Sequence, residues 1–137
     1  MGTKMGTNVG SHHIESTYIH LGPDGTAVPL AVTESFWAGL GSGRFDRLGP
    51  GRLVSQFGCT ESWASWEMHP NGEELVVLVS GSVDLIVSAD GQESCVRLRL
   101  PGELAVVPRG AWHTADVHEL SMMLFVTPGD GTEHKSR

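Results

Sequence analysis

The stretch Trp66-Glu67-Met68-His69-Pro70-Asn71-Gly72-Glu73-Glu74 carries one imidazole and three carboxylates, groups that bind divalent cations or move protons. It runs directly into Leu75-Val76-Val77-Leu78-Val79-Ser80-Gly81, an apolar segment suited to a buried strand and too short to span a membrane. If Ser65 to His69 is extended, Glu67 and His69 point to one face, because side chains alternate along a strand. Pro70-Asn71-Gly72 breaks that strand with turn residues, and Glu73 or Glu74 restarts it. Residue parity favours Glu74 on the face of Val76 and Leu78, with Glu73 on the face of Leu75, Val77 and Val79; both assignments stay open at this point. Two chemistries suit such a set. Inward carboxylates and imidazole hold a divalent ion. Without a metal, two carboxylates in a dry pocket push one pKa up and give a general acid beside an imidazole base, as an isomerase or epimerase needs.

These groups need a rigid frame, and from Arg52 the chain reads as short strands between turn signals. The strands are Arg52 to Cys59, Ser62 to His69, Leu75 to Ser80, Val83 to Ala89, Ser94 to Leu100, Leu104 to Val107, His113 to Val117 and Leu120 to Thr127. Gly81-Ser82, Asp90-Gly91, Pro101-Gly102, Pro108-Arg109-Gly110 and Pro128-Gly129 mark breaks, Asp90-Gly91 as a two-residue hairpin. This predicts an all-β sandwich or barrel without a long helix. A chain of 137 residues is one domain with room for a core.

Residues 1–15 lack any apolar period and are expected to be a disordered or vector-derived tail, so His12-His13 count little as a metal site. Residues 16–49 form an N-terminal arm and loop, with extended pieces flanking Gly22-Pro23-Asp24-Gly25. A single helical turn capped by Thr33 is expected to bury Phe36, Trp37 and Leu40. The glycines from Gly39 to Gly51 do not match a phosphate-binding pattern. Residues 50–128 are assigned to the barrel and 129–137 to a loose polar C-terminal tail containing His134.

The formal charge is −7, from 9 basic and 16 acidic residues, and Arg44, Arg47, Arg52, Arg97, Arg99 and Arg109 are scattered. No nucleic acid and no membrane surface is expected as a partner. Cys59 and Cys95 have no CxxC spacing and no apolar leader precedes them, which predicts buried, reduced thiols in a cytoplasmic protein.

The spacing resembles the cupins, small jelly-roll β-barrels with the motifs G(X)5HXH(X)3-4E(X)6G and G(X)5PXG(X)2H(X)3N. Gly102, Pro108, Gly110 and His113 match the second, whose terminal Asn position holds Val117. In the first, His69 is the second His, Glu74 the Glu and Gly81 the closing Gly, while Glu67 replaces the first His and Glu61 the leading Gly. The resemblance covers roughly residues 50 to 127. It implies a single-domain cupin jelly-roll β-barrel with metal ligands His69, Glu74 and His113; Glu67, a departure from the motif at the first His position, is the candidate for a fourth and leaves that ligand open.

Two His and one carboxylate, with open positions opposite, is the arrangement of non-haem Fe(II) oxygenases. The second carboxylate would bring a divalent site near neutrality, acidify a bound water less and attract anionic substrates less. It favours Fe(II) or Mn(II), with Zn(II) and Ni(II) also accommodated. Glu67 and His113 are the candidate acid and base. The implied function is small-molecule metalloenzymology with oxygenase-like chemistry leading, against a non-catalytic ligand-binding or sensing module and a metal-free isomerase. A homodimer formed through sheet edges and the N-terminal arm is expected.

Trp63, Trp66 and Trp112 flank the motifs and are candidates for a pocket that binds a planar or sugar-like ligand, although Trp66 is out of phase with Glu67 and is assigned to packing. Cys59 shares parity with Trp63 and Glu67 and is read as an inert small hydrophobe. One of Met122 and Met123 is expected in the core.

Overall fold

The computed structural model describes residues 9–137, in which eleven strands form two antiparallel sheets. The strands are β1 (Thr17–Leu21), β2 (Ala27–Ala31), β3 (Arg52–Cys59), β4 (Ser65–Met68), β5 (Glu74–Ser80), β6 (Val83–Ala89), β7 (Gln92–Leu98), β8 (Leu104–Val107), β9 (Trp112–Val117), β10 (Ser121–Thr127) and β11 (Glu133–Ser136). One sheet runs β2-β1-β3-β10-β5-β8 and the other β11-β4-β9-β6-β7. No helix among the described residues is long and apolar enough to cross a membrane.

Period-two burial explains why these segments are strands. Along β6, Val83, Leu85 and Val87 are buried while Asp84, Ile86 and Ser88 are less so, and β5 buries Glu74, Val76 and Leu78 in the same way. The inward rows meet in one core that includes Leu98, Val107, Ala115, Met123 and Phe125. Met123 is the core member of its pair. The turns follow the residues expected of them: Asp90 and Gly91 both adopt positive φ, as a tight hairpin requires. Gly81 sits at φ 101, and a Cβ there would collide with the backbone and hydroxyl of Ser121.

The arm forms a second, smaller core of Tyr18, Leu30 and Phe36, with Phe45, Leu48 and Leu53 packed against it. Its helix α1 (Phe36–Gly41) starts after Ser35, with no side-chain cap; Thr33 contributes its carbonyl to the Phe36 N–H instead. Phe36 is buried edge-on against Tyr18, at a centroid distance of 5.1 Å. Trp37 and Leu40 are not buried as expected, because a six-residue helix turns only one side to the core; Trp37 is 49% exposed.

The expected loose tail is corrected as well. Residues 133–136 form β11, an edge strand paired with β4, with His134 opposite Glu67. All four of its residues are exposed, so backbone hydrogen bonds and not apolar burial hold it. Arg137 then reaches the carbonyls of Trp63 and Ala115 and the carboxylate of Asp116. Both cysteines are free; Cys59 is half-buried, whereas Cys95 is exposed on β7, next to an edge-facing polar row, and not buried. Of the expected 1–15 tail, residues 1–8 lie outside the described residues, 9–13 have no regular structure and 14–16 turn into β1.

Candidate metal centre

Four side chains from three places in the barrel converge. Glu67 of β4 stands directly opposite His113 of β9 in the ladder, His69 follows β4 immediately, and Glu74 opens β5 on its buried face. Glu73 is exposed, which settles the parity question in favour of Glu74. His113 Nε2 lies 2.9 Å from Glu74 Oε1, and His69 Nε2 lies 3.4 Å from Glu74 Oε2. Glu67 Oε1 is 3.7 Å from His69 Nε2 and 3.8 Å from His113 Nε2. The ligand-type atoms of Glu67, His69 and His113 all fall within 4.8 Å of one another. His113, Glu74 and His69 are buried and Glu67 is half-buried.

An outer set of contacts orients each group. His69 Nδ1 is 2.8 Å from the Thr132 hydroxyl, which itself donates to the Gly129 carbonyl at 2.7 Å. With its proton so engaged, Thr132 accepts from His69 Nδ1–H and leaves the Nε2 lone pair facing the cluster. His113 Nδ1 is 3.4 Å from the Ala111 carbonyl, which can only accept, so its Nε2 lone pair also points inward. Thr127 donates to Glu74 Oε2 at 2.6 Å, and His134 Nε2 lies 3.2 Å from Glu67 Oε2.

His69 Nε2, His113 Nε2 and Glu74 Oε1 are thus buried polar atoms without an aligned hydrogen-bond partner, and each imidazole nitrogen lies within 3.4 Å of a Glu74 oxygen. The 2.9 Å approach of Glu74 to His113 is attractive when His113 is protonated; without that proton two lone pairs face each other, which a cation between them relieves. Buried polar atoms left unpaired are costly, and a cation bound among three so close together would satisfy them. Two imidazole nitrogens with carboxylate oxygens fit a divalent first-row ion. Charge favours it too. Burial pushes the Glu74 carboxyl up, but the facing His113 and His69 outweigh burial and hold it down at about 2. Burial pulls His113 down, and Glu74 overcomes that and raises it.

The two-sheet arrangement and this cluster can be compared with known proteins. Oxalate decarboxylase from Bacillus subtilis superposes with a TM-score of 0.53 at 18% identity, over 69% of this chain and 26% of its own. An oxalate oxidase in complex with the substrate analogue glycolate gives 0.50 at 18% identity, over 63% of this chain and 46% of its own. The fold is the cupin jelly roll. A cupin-2 domain containing protein from Shewanella frigidimarina aligns over 56% of this chain and 70% of its own, at 19% identity and a TM-score of 0.45. At such identities the likeness is one of fold, and this chain spans only about a quarter of the decarboxylase. No family model matches the sequence, and no curated protein matches it significantly.

Within the cupin barrel the cluster lies at the wall of a cavity of about 1000 Å³. Trp63 lines it, with its ring 6.1 Å from that of His113, as do Glu67, His69 and Glu74. Cys59 also lines it while packing against the core. Trp66 and Trp112 are not among its lining residues; Trp112 instead lies under the Lys135 ammonium at 4.4 Å. Sequence reasoning missed Thr127, Thr132 and the contact of His134, and it missed Phe57 and Trp37 as cavity walls. Phe57 was within reach, since it shares strand parity with Cys59. A lone threonine in a polar tail carries no signal.

Proposed function

We propose that the protein is a divalent-metal cupin in which His69, Glu74 and His113, joined by Glu67, hold one ion beside a cavity for a small molecule. The observation that carries this reading is the gathering of three buried, unpartnered ligand atoms beside that cavity, with Glu67 close to both imidazoles. An ion held there would supply Lewis acidity and, as Fe(II) or Mn(II), redox chemistry of the oxygenase kind. The Bacillus subtilis oxalate decarboxylase is described with Mn(II) centres, which supports Mn(II) or Fe(II) ahead of Zn(II) and Ni(II).

The chain's own groups would divide the remaining work. His69 and His113 are locked by burial and by their Nδ1 contacts, so they orient and do not move. Glu67, half-exposed and bridging to His134, is the group placed to take a proton from a molecule in the cavity. Trp63 and Phe125 would exclude water from the inner end. The metal-free isomerase reading is disfavoured at Glu74, whose carboxyl the facing His113 and His69 hold low against its burial. A non-catalytic sensing role uses the same cavity and is separated by O₂ uptake. Leu104 and Val106, exposed on the edge strand β8, support association of two copies, which sedimentation would report. The free thiols support a reducing compartment such as the cytoplasm.

The test is elemental analysis of untagged protein, wild type against His113→Ala. About one equivalent of metal in the first and none in the second is expected. Metal-free wild type, after growth with Fe and Mn supplied, would sink the proposal.

A further inference from the structure

A continuous run of aromatic rings starts behind the cavity wall at His113, a proposed metal ligand, and follows the wall out to the exposed Trp37. From His113 it passes to Trp63 at 6.1 Å and to Phe125 at 6.1 Å. Phe125 stacks on Phe57 at 4.9 Å and 22°, and Phe57 meets Trp37 edge-on at 5.8 Å. All four carbon-ring residues line the cavity. A run serving only as core would be buried throughout, yet Trp63 is half-buried and Trp37 is exposed on α1. Aromatic faces left open beside a cavity attract other rings by stacking and edge contacts.

Charge and size point the same way. The charged residues on the wall are the carboxylates of Asp46, Glu67, Glu74 and Asp130 and a single guanidinium, Arg52. Even with a divalent ion in place the cavity stays negative, which repels a dianion. A volume of about 1000 Å³ is at the upper end for small-ligand sites and far exceeds a two-carbon acid.

We infer that the cavity binds a planar aromatic molecule, uncharged at neutral pH and carrying oxygen substituents, and that it rejects small dicarboxylates of the oxalate type. This rests on the proposed metal function only for what the oxygens face; the ring's seat is formed by Trp63 and its neighbours.

The test is calorimetric titration of the full-length, Mn(II)-supplemented protein with catechol, with trans-cyclohexane-1,2-diol, which keeps two vicinal oxygens but lacks the π face, and with oxalate. Catechol is expected to bind at least about fivefold tighter than the diol, the worth of roughly 1 kcal/mol of aromatic contact, and oxalate to bind weakest. Trp63→Leu should weaken catechol by about fivefold and leave the diol unchanged, while Trp63→Phe keeps most of the affinity. Should Trp63→Leu fold poorly, Trp37→Leu, at an exposed position, removes the outer end of the run and should weaken catechol less but measurably. Oxalate or the diol binding as tightly as catechol, or catechol affinity unmoved in both leucine variants, would overturn the inference. Metal content is measured on the same samples, so a metal-free preparation counts against the metal centre, while the ratio of catechol to diol affinity still decides the ring.

Discussion

The Thr132 hydroxyl and His69 Nδ1 lie 2.8 Å apart across 63 residues of sequence, and through this contact a polar segment after the last barrel strand sets the tautomer of a buried histidine. Outer hydrogen bonds of this kind hold a metal-ligating imidazole in register, and their loss costs about 10–100-fold in metal affinity. Thr132→Val should therefore weaken Mn(II) binding within that range, and Thr132→Ser should restore it. Nitrogen-15 NMR of the His69 ring in the apo protein should show an Nδ1–H tautomer in wild type and a mixture in the valine variant. Equal Mn(II) affinity in wild type and Thr132→Val would remove this residue's positioning role.

Metal removal should destabilise the fold, because a ligand that binds only the native state stabilises it by mass action. At a free metal concentration 100 times the dissociation constant the effect is about 2.7 kcal/mol. For a domain of this size that corresponds to a loss of roughly 8 °C in Tm on adding EDTA, read by scanning calorimetry. His113→Ala should show no EDTA-dependent shift. An EDTA shift of the same size in that variant would mean that the ion sits elsewhere.

The barrel was legible in the sequence where burial alternates, since a period of two along Val83 to Ala89 and a Asp-Gly turn after it leave little freedom. Glu74 was legible for the same reason: it is in phase with Val76 and Leu78. What failed was structure held by backbone pairing or by single polar contacts. β11 buries no side chain, so hydropathy is blind to it, although it carries His134 to within 3.2 Å of Glu67. The exposure of Trp37, which touches Tyr18 only from the outside at 5.7 Å, depended on a short helix burying Phe36 and Gly39 instead, and composition does not specify that. Trp112 flanks His113 in sequence but points to the opposite face of β9, as alternation demands.

A pH dependence is built into Asp84 on β6, whose carboxylate contacts His118 Nε2 at 2.9 Å and Arg99 at 2.7 Å. These partners, His118 first, lower its pKa in the folded protein. A carboxyl with a depressed folded pKa contributes stability above its unfolded value of about 3.9 and loses it as pH falls through the folded value. Because the group sits near the surface, its worth is about 0.5–1 kcal/mol. Asp84→Ala should thus be less stable than wild type by that amount at pH 7, and the gap should begin to close as pH drops below about 4. Urea titrations at the two pH values measure it; a gap that widens in acid would contradict the sign.

Glu67 and His134 should act as one unit, and a double-mutant cycle can show it. Glu67 Oε1 is 3.7 and 3.8 Å from the two imidazole nitrogens, farther than Glu74, and its other oxygen is turned to His134. Its removal should therefore cost less than that of the buried carboxylate. Glu67→Gln is expected to weaken Mn(II) binding by about tenfold and Glu74→Gln by about 100-fold or more, the range over which ligand surroundings tune such sites. His134→Ala alone should weaken it by a few-fold, since an exposed pair is worth up to about 1 kcal/mol. In the Glu67→Gln background His134→Ala should add almost nothing, because contacting residues are non-additive when one works through the other. Full additivity would show that β11 influences the site by some route other than the carboxylate it touches.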